Sequence, residues 1–86
     1  MTKGEYRVGI TFNPSNDDMV GKIKRAAADL IDLIETIPWP QYAPDEEVDG
    51  SHISEIGRLK ALAQTEIESA AMWAVKAATK PAPEGV

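Results

Sequence analysis

The chain is 86 residues long, 43% hydrophobic, 27% charged and 6% aromatic, with 14 acidic against 9 basic residues and a net charge of −5. That length accommodates one small domain and no second folded unit. The lack of cysteine excludes disulfides, thiol nucleophiles and zinc–thiolate centres, a single His52 excludes a multi-histidine metal site within one protomer, and the acidic balance argues against a DNA or RNA polymer as partner.

No run approaches the ~18 uninterrupted apolar residues of a membrane span. The opening MTKGEYRVG has no apolar stretch after its lysine, so a signal peptide is not expected. The expectation is a soluble cytoplasmic protein without a membrane partner. A domain of this size gains little from one core unless disulfides, a metal or association assist it. Association is the remedy left, and a homo-oligomer is expected.

In chain order, residues 5–12 (EYRVGITF) alternate, with Tyr6, Val8, Ile10 and Phe12 on one side and Arg7, Gly9 and Thr11 on the other. Period two predicts a short extended arm with one apolar face. Asn13-Pro14 keeps the chain extended. Ser15 is the expected cap of a first helix over about 16–36, with Asp17 and Asp18 favoured in its first turn by the helix dipole. Met19, Val20, Ile23, Ala27, Leu30, Ile31, Ile34 and Ile37 form its apolar stripe. Gly21 interrupts it at a cost of ~1 kcal/mol relative to alanine.

Pro38 and Pro40 end that helix. The acidic connection 38–50 is long for a helical hairpin, with Trp39 and Tyr42 placed to hold it down. Ser51 is the expected cap of a second helix over about 52–79, striped by Ile53, Ile56, Leu59, Ala63, Ile67, Ala70, Ala74 and Ala77. Its alanine-rich second half suits close helix–helix approach. Pro81 and Pro83 stop it, and 81–86 is expected to be a disordered tail. The predicted fold is all-α: a single domain over 1–80, an antiparallel helical hairpin with an extended N-terminal arm, assembled as a homo-oligomer.

Charge is unevenly distributed. Residues 1–28 carry Lys3, Arg7, Lys22, Lys24 and Arg25 against Glu5, Asp17 and Asp18, a net of +2; residues 29–57 carry eight acids and no Lys or Arg; residues 58–86 are net +1. Few, local basic groups suit a small anion better than a polymer, although on charge alone solubility and helix-end complementarity are the favoured explanation. Phe12 for base stacking, Asn13 for base edges, and Lys22, Lys24 and Arg25 for phosphate make one candidate nucleotide pocket; the plain alternative is a core phenylalanine with solubilising lysines. Arg58 and Thr65, seven residues apart and so nearly in line on a helix, with Lys76 further on, offer a planar fork and a hydroxyl for phosphate. An exposed polar seam is the plain alternative.

Asp49, Ser51 and His52 are too close in sequence to reach the geometry of a catalytic relay. Asp29 and Asp32 share a helix face and more often mark a solvated surface than a cation site. No phosphate-binding glycine loop is present, and no catalytic residue, metal or cofactor is expected.

The stretches FNPSNDDMVGKIKRAAADLIDLIETI (12–37) and RLKALAQTEIESAAMWAVKA (58–77), with Arg58 and Thr65 seven apart, then Glu68 and the string Met72-Trp73-Ala74-Val75-Lys76-Ala77, resemble the helical-hairpin domain shared by bacteriophage anti-CBASS and anti-Thoeris sponge proteins. The short region before the first helix is closer to the anti-CBASS members. The resemblance implies a hexameric, mostly helical, non-enzymatic protein that sequesters cyclic oligonucleotide immune signals, such as 3′,3′-cGAMP, in the cytoplasm of an infected bacterium. It implies cyclic dinucleotide pockets between protomers, using an N-terminal aromatic and a lysine of the first helix. Phe12 and Lys24 are the nearest matches, with Tyr6, Lys22 and Arg25 as rivals. It also implies a separate cyclic trinucleotide site, with Arg58 and Thr65 as candidates. The alternative from another class is a small oligomeric hairpin serving as a protein–protein adaptor.

Overall fold

Thr2 accepts a hydrogen bond from the Glu5 amide while the Glu5 carboxylate accepts one from the Thr2 amide. This reciprocal capping box satisfies two of the orphan donors at a helix start. In the computed structural model, which describes residues 1–47 and 50–83, the N-terminal segment is therefore a helix, α1 (Lys3–Val8), and not the extended arm that its alternation suggests. Gly9 closes it in the left-handed conformation at φ 65°, where glycine carries no Cβ penalty.

Residues 13–17 then form a small side-chain-stapled turn. The Asn13 side chain donates to Asp17 O and accepts from Asp17 N. Asp17, rather than Ser15, caps α2 (Asp18–Glu35) by accepting from the Met19 and Val20 amides. The third helix, α3 (Ser51–Ala78), begins on Gly50 at φ 83° with no side-chain cap, so Ser51 is its first residue rather than its cap. The fold is all-helical, three helices without a strand among the described residues. Val48, Asp49 and the tail end 84–86 lie outside the described residues, and 81–83 follow α3 without regular structure.

α2 and α3 run antiparallel: Lys60 reaches the carbonyls of Glu35 and Ile37 at one end, Gln64 reaches Ile31 O, and Lys24 and Val75 line common cavities at the other end. The linker is anchored as its aromatics suggested. Trp39 sits over the Lys60 ammonium, 4.4 Å from ring centroid to nitrogen, and against Gly57, while Tyr42 shares a hydrogen bond with His52 Nδ1.

α2 is the central element: α3 packs along it, and α1 packs on α2 while also reaching α3 through Lys3 and Arg7. The buried residues of α2 are Val20, Lys24, Ala27, Ala28 and Ile31, and those of α3 are Lys60, Gln64 and Ala71. Gln64 is 2% exposed and fully used: it donates to Ile31 O and Glu35 Oε2 and accepts from Lys3 Nζ. A buried amide satisfied on both sides locks register without the cost of an unpaired polar group.

α1 is held by close approach and by ions. Gly4 lies against the backbone of Ala28, and its amide donates to Asp32 Oδ1 at 2.7 Å. Arg25 bridges Glu5 and Asp29, and Lys3 pairs with Glu35. The Arg25 hydrogen bond lowers the Glu5 pKa from 4.5 to about 2, and hydrogen bonds from Gln64 and then Lys3 lower that of Glu35. Carboxyls with depressed folded-state values stabilise above their unfolded values, and that contribution fades as pH falls from 4.5 towards 2. Amide exchange at α1 is expected to accelerate through that window before α2 and α3 respond. The dependence should shrink in Glu5→Gln; an acid-insensitive α1 would contradict the assignment.

The molecule extends 70 × 26 × 13 Å, one helix diameter in its thinnest direction. Its accessible area is 6447 Å², against about 5,000 Å² for a compact monomer of this mass. The excess has an address. Met19, Ile23, Ala26, Leu30 and Leu33 of α2, with Ile37 just past its end, recur at alternating steps of four and three, and all but the half-buried Ile23 are exposed, Leu33 at 64%. That is the spacing of a coiled-coil seam. The apolar stripe read from the sequence is thus two faces: one packed on α1 and α3, the other uncovered.

Candidate functional site

A concavity of about 570 Å³ lies where the C-terminal end of α1 faces the middle of α3. Arg7 and Val8 contribute from α1, Lys24 from α2, and Thr65, Glu68, Ser69, Ala71, Met72 and Val75 from α3. Arg7 donates through Nε to Glu68 Oε1 at 2.9 Å and through Nη2 to Thr65 Oγ1 at 3.3 Å. The walls thus combine a guanidinium, an ammonium and two hydroxyls with an apolar floor, in the size range of small-molecule sites.

A second concavity of about 560 Å³ is an open groove along the start of α2, with Asn13, Lys22 and Arg25 among Asp17, Asp18 and Asp29. A third, about 280 Å³, lies between the 12–15 turn and the end of α3; Phe12, Asn13, Lys24, Val75 and Thr79 line it. Lys24 and Val75 belong to both the first and the third, so the two are neighbours.

The residues singled out from sequence divide among these places. Phe12 is 71% exposed. Lys24 is 8% exposed and donates to Gly9 O at 2.9 Å and to Phe12 O; an ammonium has three donors, so one remains. It also lies 5.4 Å from the Phe12 ring centroid. Its first task is to close the chain between α1 and α2, a task not legible in the sequence. Asn13 spends its amide on the turn to Asp17, and Arg25 spends its fork on Glu5 and Asp29. Lys22 is exposed in the groove.

Arg58 and Thr65 do not share a cavity. Arg58 is exposed and pairs with Glu55 one turn earlier, a hydrogen bond that lowers the Glu55 pKa, whereas Thr65 belongs to the Arg7 cavity. Lys76 lies 5.4 Å from the Trp73 ring centroid. The Asp29–Asp32 pair is committed to Arg25 and to the Gly4 amide. Asp49 of the Asp49–Ser51–His52 trio lies outside the described residues, and His52 is engaged by Tyr42. Among the described residues, no group of three or more acids or histidines is placed to hold a metal, and no helix is long and apolar enough to cross a membrane.

Arg7 is the residue that sequence reading missed. An extended arm would have pointed it away from the apolar face; in α1 it turns into the cavity. The signal was present in Thr2-Lys3-Gly4-Glu5, the T-x-x-E spacing of a capping box.

A short N-terminal helix thus crosses a long antiparallel hairpin, with a mixed cationic and apolar hollow at the crossing. The family model described as "Acb2/Tad1, hairpin domain" matches residues 4–79, and the chain belongs to that family, the anti-CBASS and anti-Thoeris sponges. No curated protein and no solved structure matches the chain.

Proposed function

We propose that this protein binds cyclic di- and trinucleotide immune signals, 3′,3′-cGAMP among them, and holds them intact, blocking CBASS defence in the cytoplasm of the infected bacterium. The observation that carries the reading is the Arg7–Thr65 cavity in a chain of the sponge family. Guanidinium and hydroxyl donors suit phosphodiester oxygens, and the Val8, Met72 and Val75 surface suits a base or ribose face. Phe12, exposed next to Lys24, supplies a ring for stacking at the adjoining concavity. A sponge acts by mass action, so abundance and slow release replace turnover.

Assembly completes the reading. The uncovered α2 seam from Met19 to Ile37 and the single-layer thickness favour a second copy of this chain as its cover. The oligomer is a hexamer in this proposal, and seams between protomers deepen hollows that are open in one protomer. The adaptor reading uses the same seam but leaves the cavity without a role.

Arg58, outside the main cavity and paired among the described residues with the neighbouring Glu55, is assigned to the trinucleotide. Calorimetry of the purified protein with 3′,3′-cGAMP and with a cyclic trinucleotide, followed by recovery of the ligand, tests the whole. Tight binding with intact ligand is expected. Arg58→Ala should weaken trinucleotide binding about tenfold or more, the worth of a charge-assisted hydrogen bond, and spare cGAMP. Equal loss of both removes the two-site assignment, a cleaved product makes the protein an enzyme, and absence of heat with either ligand favours the adaptor.

A further inference from the structure

Arg7 is held at the end of a six-residue helix whose position is over-determined. Gly4 abuts Ala28, its amide binds Asp32, and Lys3 and Glu5 are bound by Glu35, Gln64 and Arg25. The guanidinium therefore projects to a fixed place over α3, where Thr65, Glu68 and Ser69 stand within little more than one turn. Its present partner is a carboxylate. Nε meets Glu68 Oε1 at 2.9 Å, and the Glu68 side chain is 42% exposed, free to swing towards water.

A carboxylate and a phosphodiester compete for the same fork, because both present paired oxygens to planar N–H donors. With the ion pair closed, Glu68 cancels one of the two cations lining the cavity; with Glu68 turned away, Arg7 and Lys24 both face it. Resting on the sponge reading, we propose that Arg7 is a phosphate-holding residue of this cavity and that Glu68 is its built-in competitor, an intramolecular counter-ion that the ligand phosphate displaces. Affinity is set by the difference between two acceptors for one guanidinium, and the empty cavity avoids an unpaired cation against its apolar wall.

Removing the competitor and removing the fork have opposite signs, which a merely structural ion pair does not produce. Calorimetry with 3′,3′-cGAMP on the intact protein is expected to show Glu68→Gln binding about three- to fivefold tighter, the scale of a partly exposed ion pair. Arg7→Gln should bind about tenfold or more weaker, and Arg7→Lys, which keeps charge without the fork, should fall between. Circular dichroism confirms that each variant retains its helices. Weaker or unchanged binding in Glu68→Gln, or full binding in Arg7→Gln, overturns the proposal. Should wild-type protein give no heat with cGAMP, the sponge reading fails for that ligand. The exchange is then read by titrating inorganic pyrophosphate against the Arg7 Nε–H resonance: a shift that saturates earlier in Glu68→Gln upholds the counter-ion, and an immobile resonance overturns it.

Discussion

Gly4→Val is expected to undock α1 while leaving the hairpin folded. A Cβ at position 4 would lie 2.1 Å from Ala28 O, 2.8 Å from Ala28 C and 2.8 Å from Asp32 Oδ1. Two of those atoms are backbone in the middle of α2, so no side chain can rotate away. The helix must retreat, and the Gly4–Asp32 hydrogen bond is lost with the approach. Overpacking of this kind costs about 2–3 kcal/mol. Six residues cannot sustain a helix without tertiary support, so α1 should unfold as well as move. Hydrogen exchange should show α1 amides losing protection with those of α2 and α3 largely kept. Cyclic nucleotide affinity should drop alongside, because Arg7 leaves the cavity with its helix. Retained α1 protection in Gly4→Val would show that the crossing is looser than its geometry.

Ile31→Ala should have the largest effect on stability. Ile31 is 0% exposed, and it and Gln64 are the large side chains that are fully buried; the other apolar members of the core are Val20, Ala27, Ala28 and Ala71. Truncating a buried isoleucine costs about 2–5 kcal/mol, the upper end applying where neighbours cannot collapse into the gap. Here they cannot easily do so: alanines have no side chain to extend, and Gln64 is tied to Ile31 O and Glu35. In a domain this small each kcal/mol corresponds to about 4–8 °C, so a fall of roughly 10–20 °C or more in the thermal midpoint is expected. Because association raises apparent stability by mass action, wild type and variant must be melted at matched protein concentration. A shift of only a few degrees would mean that contacts outside the α2–α3 seam, such as those of the proposed oligomer, carry the fold.

Much of this architecture was legible in one sequence. The two long helices and their antiparallel order follow from apolar spacing and from the prolines at 38, 40, 81 and 83. The observed bounds, Asp18–Glu35 and Ser51–Ala78, differ from the expected ones by one or two residues, the usual uncertainty of a helix end. Trp39 and Tyr42 were rightly read as anchors of the linker. The N-terminal segment was misread because alternation in EYRVGITF outweighed a local signal. Two reciprocal cap bonds and a glycine C-cap decide for helix there, and half of the alternating residues lie beyond its end.

The candidate site divides along the same line. Residue chemistry and family resemblance were in the sequence, because guanidinium, hydroxyl and aromatic groups keep their character wherever the chain goes. Their employment was not. Asn13 and Arg25 are consumed by the fold, Lys24 is mostly so, and Thr65 finds Arg7 rather than Arg58 as its companion. Helical periodicity orders residues along one helix, so it could bring Arg58 and Thr65 into line. It carries no information about which segment crosses that helix. The crossing of α1 was decided by the space that Gly4 leaves above Ala28 and by carboxylates at positions 5, 32 and 35 finding partners on other helices. The sequence by itself determined a helical hairpin with loose cations and uncovered apolar surface. Only the tertiary structure decided which of those cations face a cavity, because Glu5, the partner of Arg25, and Glu68, the partner of Arg7, lie 20 and 61 residues away along the chain.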